Sequence, residues 1–389
     1  MNDPVASTAM RRAGGVTLTT QRSERETRHL QALEAKLSQN PDDEAAFQSL
    51  LDAYRASGRW RDAAELLCRR LERNPNDWNT LRGCVTLFLR AGEPVRAGEI
   101  LNRHGAHYEH QWELWHLRGL CLEELGRHGD ALEEHRRAAR LAPEEPQPRF
   151  RLGLTSLRTG EEEAALAHFQ DALERDPRLG GALVNLGLLY ERMGERERAL
   201  EMLRRAAELE PDSVEAHLNL GAVYAEMDRK EEAAGELRRA IELDPRCADA
   251  HFNLALLLDD VDPEEALQRL RRAVTLEPAR RDANLELGRI CYRRGLYTAA
   301  LKALQVCLEA DPADTEALFF MALTYNKLDR PDETLKLLDE LLKHEPQSAQ
   351  AHFYRGVAYD KKGLYDKARV AYQKADELGQ GREDPGIES

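Results

Sequence analysis

Three asparagines in the middle of the chain are spaced so that they could bind another polypeptide. Asn185, Asn219 and Asn253 recur at one constant interval, within the similar strings VNLG, LNLG and FNLA. A side-chain amide both donates and accepts hydrogen bonds, so it can pair with the N–H and C=O groups of a peptide backbone. A row of such amides predicts a site that holds an extended peptide without reading its sequence. The alternative is that the amides bond to neighbouring helices within the chain.

A second group of polar residues could bind a metal. His104, His107 and His110 follow one another at three-residue spacing, which zinc could exploit. However, Gly105 interrupts the helix that would align them, so a degenerate structural junction is the favoured interpretation. The sequence contains no glycine-rich phosphate loop, HExxH string or nucleophile elbow. It therefore predicts a protein that is not an enzyme and has no cofactor and no metal.

The elements that position these residues are set by a proline period. Adjacent prolines of the series are separated by the same interval as the asparagines, with two exceptions: the gap from 75 to 143 spans two periods, and that from 245 to 278 is one residue short. A fixed period of this length is typical of a solenoid, in which each unit buries its apolar face against its neighbours. The prolines of the series are at positions 41, 75, 143, 177, 211, 245, 278, 312 and 346.

Each period contains the pattern of two helices and a turn. Between Gly180 and Pro211, small and apolar residues follow helical spacing up to Gly194 and again beyond it. Glycine reaches the left-handed conformation after a helix without strain, and aspartate tolerates it better than most residues. Residues after the prolines, such as Asp42, Asp212 and Ser213, could cap the next helix. The turn column reads Gly58, Gly92, Gly126, Gly160, Gly194, Asp228, Gly295, Asp329 and Gly363.

This helix–turn–helix pattern, with a period of about 34 residues, resembles the tetratricopeptide repeat (TPR) family. The resemblance implies an all-α fold, a right-handed superhelical solenoid of about ten repeats with a concave face built mainly from first helices. We expect a disordered arm at 1–23, a lone capping helix at 24–43 and degenerate repeats at 44–111. A regular array at 112–380 and a disordered tail at 381–389 follow.

The inner asparagines also resemble those in the TPR domain of O-linked N-acetylglucosamine transferases, although the catalytic domain is absent. That resemblance implies a peptide held in the concave groove. Equivalent positions in the neighbouring units hold Arg151, Glu286, Phe320 and Tyr354, which would shorten the binding track.

An apolar stripe is predicted beside the asparagines, at the fifth and ninth positions of the first helices. Exposed contiguous apolar surface usually marks an interaction site. The alternative is that curvature buries much of the stripe between adjacent helices. Its predicted peptide-binding members are Phe150, Leu154, Leu188, Phe252, Leu256, Phe319 and Phe353.

Charge and composition limit the partners. The formal net charge is −14 and aromatic residues make up 6% of the chain, which disfavours nucleic acid. A partly acidic groove would favour a basic or amphipathic protein partner. The six cysteines have no metal or redox spacing, which disfavours disulfides and predicts a cytoplasmic protein. No apolar run is long enough to span a bilayer, and incomplete capping of the last unit would permit end-to-end self-association.

These features together predict a non-enzymatic scaffold or adaptor that binds a peptide segment of a partner. One alternative is an assembly factor for a membrane-associated complex, attached through the N-terminal arm. A metal-binding or enzymatic protein is the other alternative.

Overall fold

The computed structural model describes residues 28–379 of the 389-residue chain. The predicted arm at 1–23, the start of the predicted lone helix at 24–27 and the tail at 381–389 lie outside the described residues. By internal contacts the chain forms two compact units, Met1–Ala182 and Leu183–Ser389.

The first unit consists of helices throughout its described part. Successive helices are joined by short connections and pack against each other, as in helical hairpins. A 3₁₀ turn, Gly105–Tyr108, follows α5. The helices are α1 (28–39), α2 (Glu44–Ala56), α3 (Trp60–Arg73), α4 (Trp78–Arg90), α5 (Pro94–His104), α6 (Trp112–Glu124), α7 (His128–Leu141), α8 (Pro146–Thr159) and α9 (Glu162–Arg175).

The second unit repeats the same hairpin with greater regularity. Even-numbered helices are the first helices of the repeats, and they also contact one another, as α12 does α14. The helices are α10 (Gly180–Arg192), α11 (Arg196–Leu209), α12 (Val214–Glu226), α13 (Lys230–Leu243), α14 (Ala248–Leu258), α15 (Pro263–Leu276), α16 (Arg281–Arg293), α17 (Tyr297–Ala310), α18 (Thr315–Lys327), α19 (Pro331–His344), α20 (Ala349–Lys361) and α21 (Tyr365–Leu378). The predicted all-α repeat fold is confirmed.

The turns inside the hairpins adopt the predicted left-handed backbone. All seven glycines of the turn column have φ between 70° and 81°, and Asp228 and Asp329 have φ of 55° and 56°. The short unit is different, because Asp259 keeps right-handed geometry at φ −53°. There Asp262 caps α15 through the N–H of Glu265, and Pro263 occupies the first helical turn.

Close helix packing depends on glycine at the eighth position of the first helices. A Cβ atom on Gly221 would lie 2.8 Å from Cγ of Leu237, and one on Gly288 would lie 2.6 Å from Cγ of Leu304. Neither distance is sterically tolerable, so a larger residue would push the two helices of a hairpin apart. The close approach of the two helices therefore depends on the missing Cβ atoms of these glycines.

The helix caps correct part of the sequence prediction. Asp43, not Asp42, caps α2 by accepting from the N–H of Ala46 at 2.9 Å. Ser213, and not Asp212, caps α12. In both cases the residue immediately before the helix is the one whose side chain reaches its free N–H groups.

Candidate peptide-binding site

Two of the three predicted asparagines have side-chain amides with no hydrogen-bond partner among the described residues. Asn219 of α12 and Asn253 of α14 are half-buried, and neither makes a hydrogen bond within the described residues 28–379. Asn185 of α10 is also half-buried and already takes part in an interaction within the chain. The second unit therefore places at least two open amides at the same repeat position on adjacent first helices.

The position of these amides follows from the residue that comes after each one. Leu220 and Leu254, at 3% and 0% exposure, point into the core, and Leu254 packs with Leu237. One residue earlier on an α-helix lies about 100° around the axis. Asn219 and Asn253 consequently lie at the margin of the core, where an amide stays accessible on one side.

In the later repeats of the second unit, the side chain at the same repeat position is paired or buried and is not open to a ligand. Glu286 accepts from Arg289 at 2.9 Å, and its burial raises its pKa above the usual range. Phe320 and Tyr354 are each 7% exposed and belong to the core. The open amides are thus confined to the part of the unit before α16.

The predicted apolar stripe is only partly exposed. Leu256 is 45% exposed on the same helix as Asn253, and Leu188 and Phe353 are half-buried. Phe252 and Phe319 are buried at 9% exposure, which favours the alternative of packing between helices for these two. The guanidinium group of Arg280 covers the ring of Phe252 at 4.6 Å. In the other unit, Phe150 and Leu154 are both half-buried.

Arginines neutralise part of the predicted acidic field. Arg280 binds both Asp249 and Asp282 through its guanidinium group, at 2.6 and 2.7 Å. Arg293 pairs with Asp259. These three carboxylates are therefore compensated within the chain.

A pair of acidic side chains also interacts at the C-terminal ends of α10 and α12, where Glu226 lies seven residues after Asn219. Glu191 and Glu226 lie close enough to interact, and burial together with the charge of Glu226 raises the pKa of Glu191. Arg196 contacts Glu226 at 3.3 Å, but both side chains are largely exposed. A cationic group from a ligand would relieve the repulsion between the two glutamates.

The three histidines of the first unit are not arranged as metal ligands. His104 is half-buried at the end of α5, and burial lowers its pKa, whereas His107 and His110 are exposed. Gly105 ends the helix as predicted, since a 3₁₀ turn begins there. The part of the chain that the structure describes contains no group of three His, Cys, Asp or Glu residues placed to hold a metal ion.

The structure also reveals a buried polar cluster that was not predicted. Nε2 of His135 lies 3.4 Å from a carboxylate oxygen of Glu123, to which the Thr155 hydroxyl donates. Burial alone would raise the pKa of Glu123, but His135 and Thr155 hold it at about 2. His116 stacks near His135, with ring centroids 5.4 Å apart. The available signal was His135 itself, which replaces the apolar residue found at this position in other repeats, such as Leu203.

In the described residues, no helix combines the length and hydrophobicity that a membrane span requires.

A family model for the tetratricopeptide repeat matches residues 116–179, 184–245, 223–260, 256–315 and 321–385, which is more than half of the chain. The chain belongs to the tetratricopeptide repeat family. This fold serves protein–protein interaction, and its members are generally non-catalytic scaffolds. No curated protein matches the sequence.

Solved structures of TPR type resemble this protein at low sequence identity. A hetero-tetramer of the APC/C proteins Cut9 and Hcn1 has a TM-score of 0.55 and 15% identity, over 77% of this chain and 58% of that one. A human IFIT1 dimer with m7Gppp-AAAA has a TM-score of 0.51 and 18% identity, over 92% and 87%. YrrB, described as a TPR protein with an unusual peptide-binding site, has a TM-score of 0.41 and 24% identity, over 53% and 97%. At these identities the likeness concerns the fold alone.

Proposed function

We propose that this protein is a non-enzymatic cytoplasmic scaffold whose second unit binds an extended peptide segment of a partner protein. The observation that carries the proposal is the pair of open amides on α12 and α14, Asn219 and Asn253. Each offers one donor group and one acceptor to a backbone that runs past the first helices. Asn185 would extend the row by one repeat if it exchanged its present interaction for the peptide.

The apolar contact of the proposed site comes from a few side chains. Leu256 is the most exposed predicted contact residue, one turn after Asn253, and Leu188 is half-buried. Phe353 contributes a partly accessible ring further along the unit. Phe150 and Leu154 remain predicted contacts of the first unit, whereas the buried Phe252 and Phe319 would contribute by supporting the surface from below.

The partner segment should be basic or amphipathic. Glu191 and Glu226 repel each other at the C-terminal ends of α10 and α12, so a lysine or arginine of the peptide placed between them is stabilised. Such exposed charges act more on the rate and selectivity of association than on its strength. The acidic net charge of −14 also argues against nucleic acid as the partner.

The proposal is tested with peptides selected on the purified protein from a phage-displayed random library. Asn219→Ala combined with Asn253→Ala removes two donors and two acceptors, each worth about 0.5–1.5 kcal/mol net. Four such bonds at the lower value total about 2 kcal/mol, so we expect the dissociation constant of a selected peptide, measured by fluorescence anisotropy, to rise by roughly 30-fold or more.

The matched control is Gln268→Ala, which removes an exposed amide from a second helix, α15, of the same unit. It should leave the dissociation constant unchanged. Equal affinity for wild type and the double asparagine variant would refute the amide site. Failure to select any peptide that binds the second unit would refute peptide binding as a whole.

A further inference from the structure

Two cysteine thiols meet across the interface between α3 and α4 in the first unit. The Sγ atoms of Cys68 and Cys84 are 2.7 Å apart, although the residues are 16 positions apart in sequence. Cys84 is fully buried, whereas Cys68 is half-buried and so can be reached from solvent. The two sulfur atoms are thus placed to react with each other and with a small reagent.

The contact arises from the repeat geometry. Asp339 and Arg355 occupy the same two positions of later repeats, the 25th of one unit and the seventh of the next, and have the same separation in sequence. They contact each other as an ion pair at 3.4 Å. Position 25 of a second helix therefore faces position seven of the following first helix, and the fold brings Cys68 and Cys84 together for the same reason.

The surroundings of the two thiols shift their pKa values in opposite directions. The hydrogen bond between the two thiols lowers the pKa of Cys68 despite burial, and the nearby Arg96 acts in the same direction. The hydrogen bond to Cys68 and burial raise the pKa of Cys84. Because the thiolate is the nucleophile in thiol chemistry, the accessible Cys68 is the group that reacts first.

We propose that Cys68 and Cys84 form a reversible disulfide that joins α3 to α4, with a low-molecular-weight disulfide as the oxidant. The Cys68 thiolate attacks one sulfur of oxidised glutathione, which forms a mixed disulfide and releases one glutathione thiolate. Cys84 then loses its proton and attacks the Cys68 sulfur, which releases the second glutathione thiolate. Two electrons pass from the cysteine pair to oxidised glutathione, and the two thiol protons end on the two reduced glutathione molecules.

From the sequence alone a disulfide is disfavoured, because the spacing of the two cysteines matches no redox motif. The spacing indicates a pair of facing cysteines only when the contact between positions 25 and seven of successive repeats is known. A bond here would cross from one repeat to the next in the degenerate region, where it would restrict the opening of the two hairpins.

The test uses the full-length protein treated with oxidised glutathione and digested with trypsin under conditions that preserve disulfides. The proposal predicts a loss of two of the six thiols and a disulfide-linked pair of peptides, 62–69 with 83–90, that dithiothreitol separates. Cys68→Ser should abolish the link and leave Cys84 as a free thiol.

The chain supplies a matched internal control. Cys291 and Cys307 have the same separation in sequence as Cys68 and Cys84 and are buried in α16 and α17, but within the described residues their sulfur atoms do not contact each other. They should stay reduced. Retention of glutathione on Cys68 with Cys84 free would overturn the proposal, and so would a Cys291–Cys307 link of equal yield.

Discussion

The helices α12 and α18 present the same repeat position in opposite ways. At the sixth residue α12 carries Asn219, an open amide at the margin of the core, whereas α18 carries Phe320 at 7% exposure. Phe320 lies in a network of aromatic rings, 6.2 Å from Tyr292 and 5.8 Å from Phe319 between centroids. One backbone position is therefore left accessible or packed into the core according to the side chain it holds.

The aromatic position should dominate stability. Phe320→Ala removes a buried ring and leaves a cavity, so we expect a loss of about 3–5 kcal/mol in the free energy of unfolding. The matched change Asn219→Ala should alter it by no more than about 0.5 kcal/mol. Urea denaturation followed by circular dichroism measures both. Similar losses for the two variants would remove the distinction between the positions.

A second test compares the open amides with polar groups that are buried. Burial lowers the pKa of His116 to about 3, and that of Glu123 is about 2, both below their values in an unfolded chain. The unfolded state therefore binds more protons, so stability is complete above about pH 6.5 and falls as the pH decreases towards 3. Arg151 and Arg158 also face this cluster.

We expect the first unit to lose on the order of 1–3 kcal/mol between pH 7 and pH 4, after allowance for solvent at the half-buried His116. Urea titrations at both pH values measure the loss. His116→Phe should reduce this loss of stability, while Asn219→Ala should show the same loss as wild type. An unchanged pH dependence in His116→Phe would show that this ring does not titrate as its burial requires.

The smallest effect concerns the charges of Glu191 and Glu226. Glu226→Gln removes one charge of the Glu191–Glu226 pair, so affinity for a basic peptide should fall by only about 0.2–1 kcal/mol. The association rate should fall with it and become less dependent on salt. In wild type, affinity should also decrease as the pH drops through the raised pKa of Glu191. Stopped-flow binding at two salt concentrations measures the salt dependence of the association rate. If Glu226→Gln and wild type show the same salt dependence, steering by this pair is contradicted.

Local features were predictable because each depends on one residue type at one position. The turn column was predicted from the few residues that tolerate a positive φ, and both Asp228 and Asp329 follow it. The close approach at Gly221 follows from its missing Cβ. The sixth-position amides could be placed on the first helices because a fixed period fixes their phase.

Features that depend on contacts between repeats were not predictable in the same way. Phe252 is covered by Arg280, which belongs to the next repeat and is held there by Asp249. The contact of Cys68 with Cys84 and the hydrogen bond from Thr155 to Glu123 likewise join neighbouring repeats. A period gives the position of a residue within its unit, but it does not say which side chain of the next unit lies opposite.

The central claim is that Asn219 and Asn253 bind the backbone of a peptide. It is tested most directly by comparing a selected peptide with versions that carry a single backbone N-methyl group at each position in turn. The account predicts that methylation at two or more positions weakens binding to wild type, and that the Asn219→Ala, Asn253→Ala double variant no longer distinguishes those peptides from the parent. Equal sensitivity to N-methylation in wild type and in the double variant would contradict it.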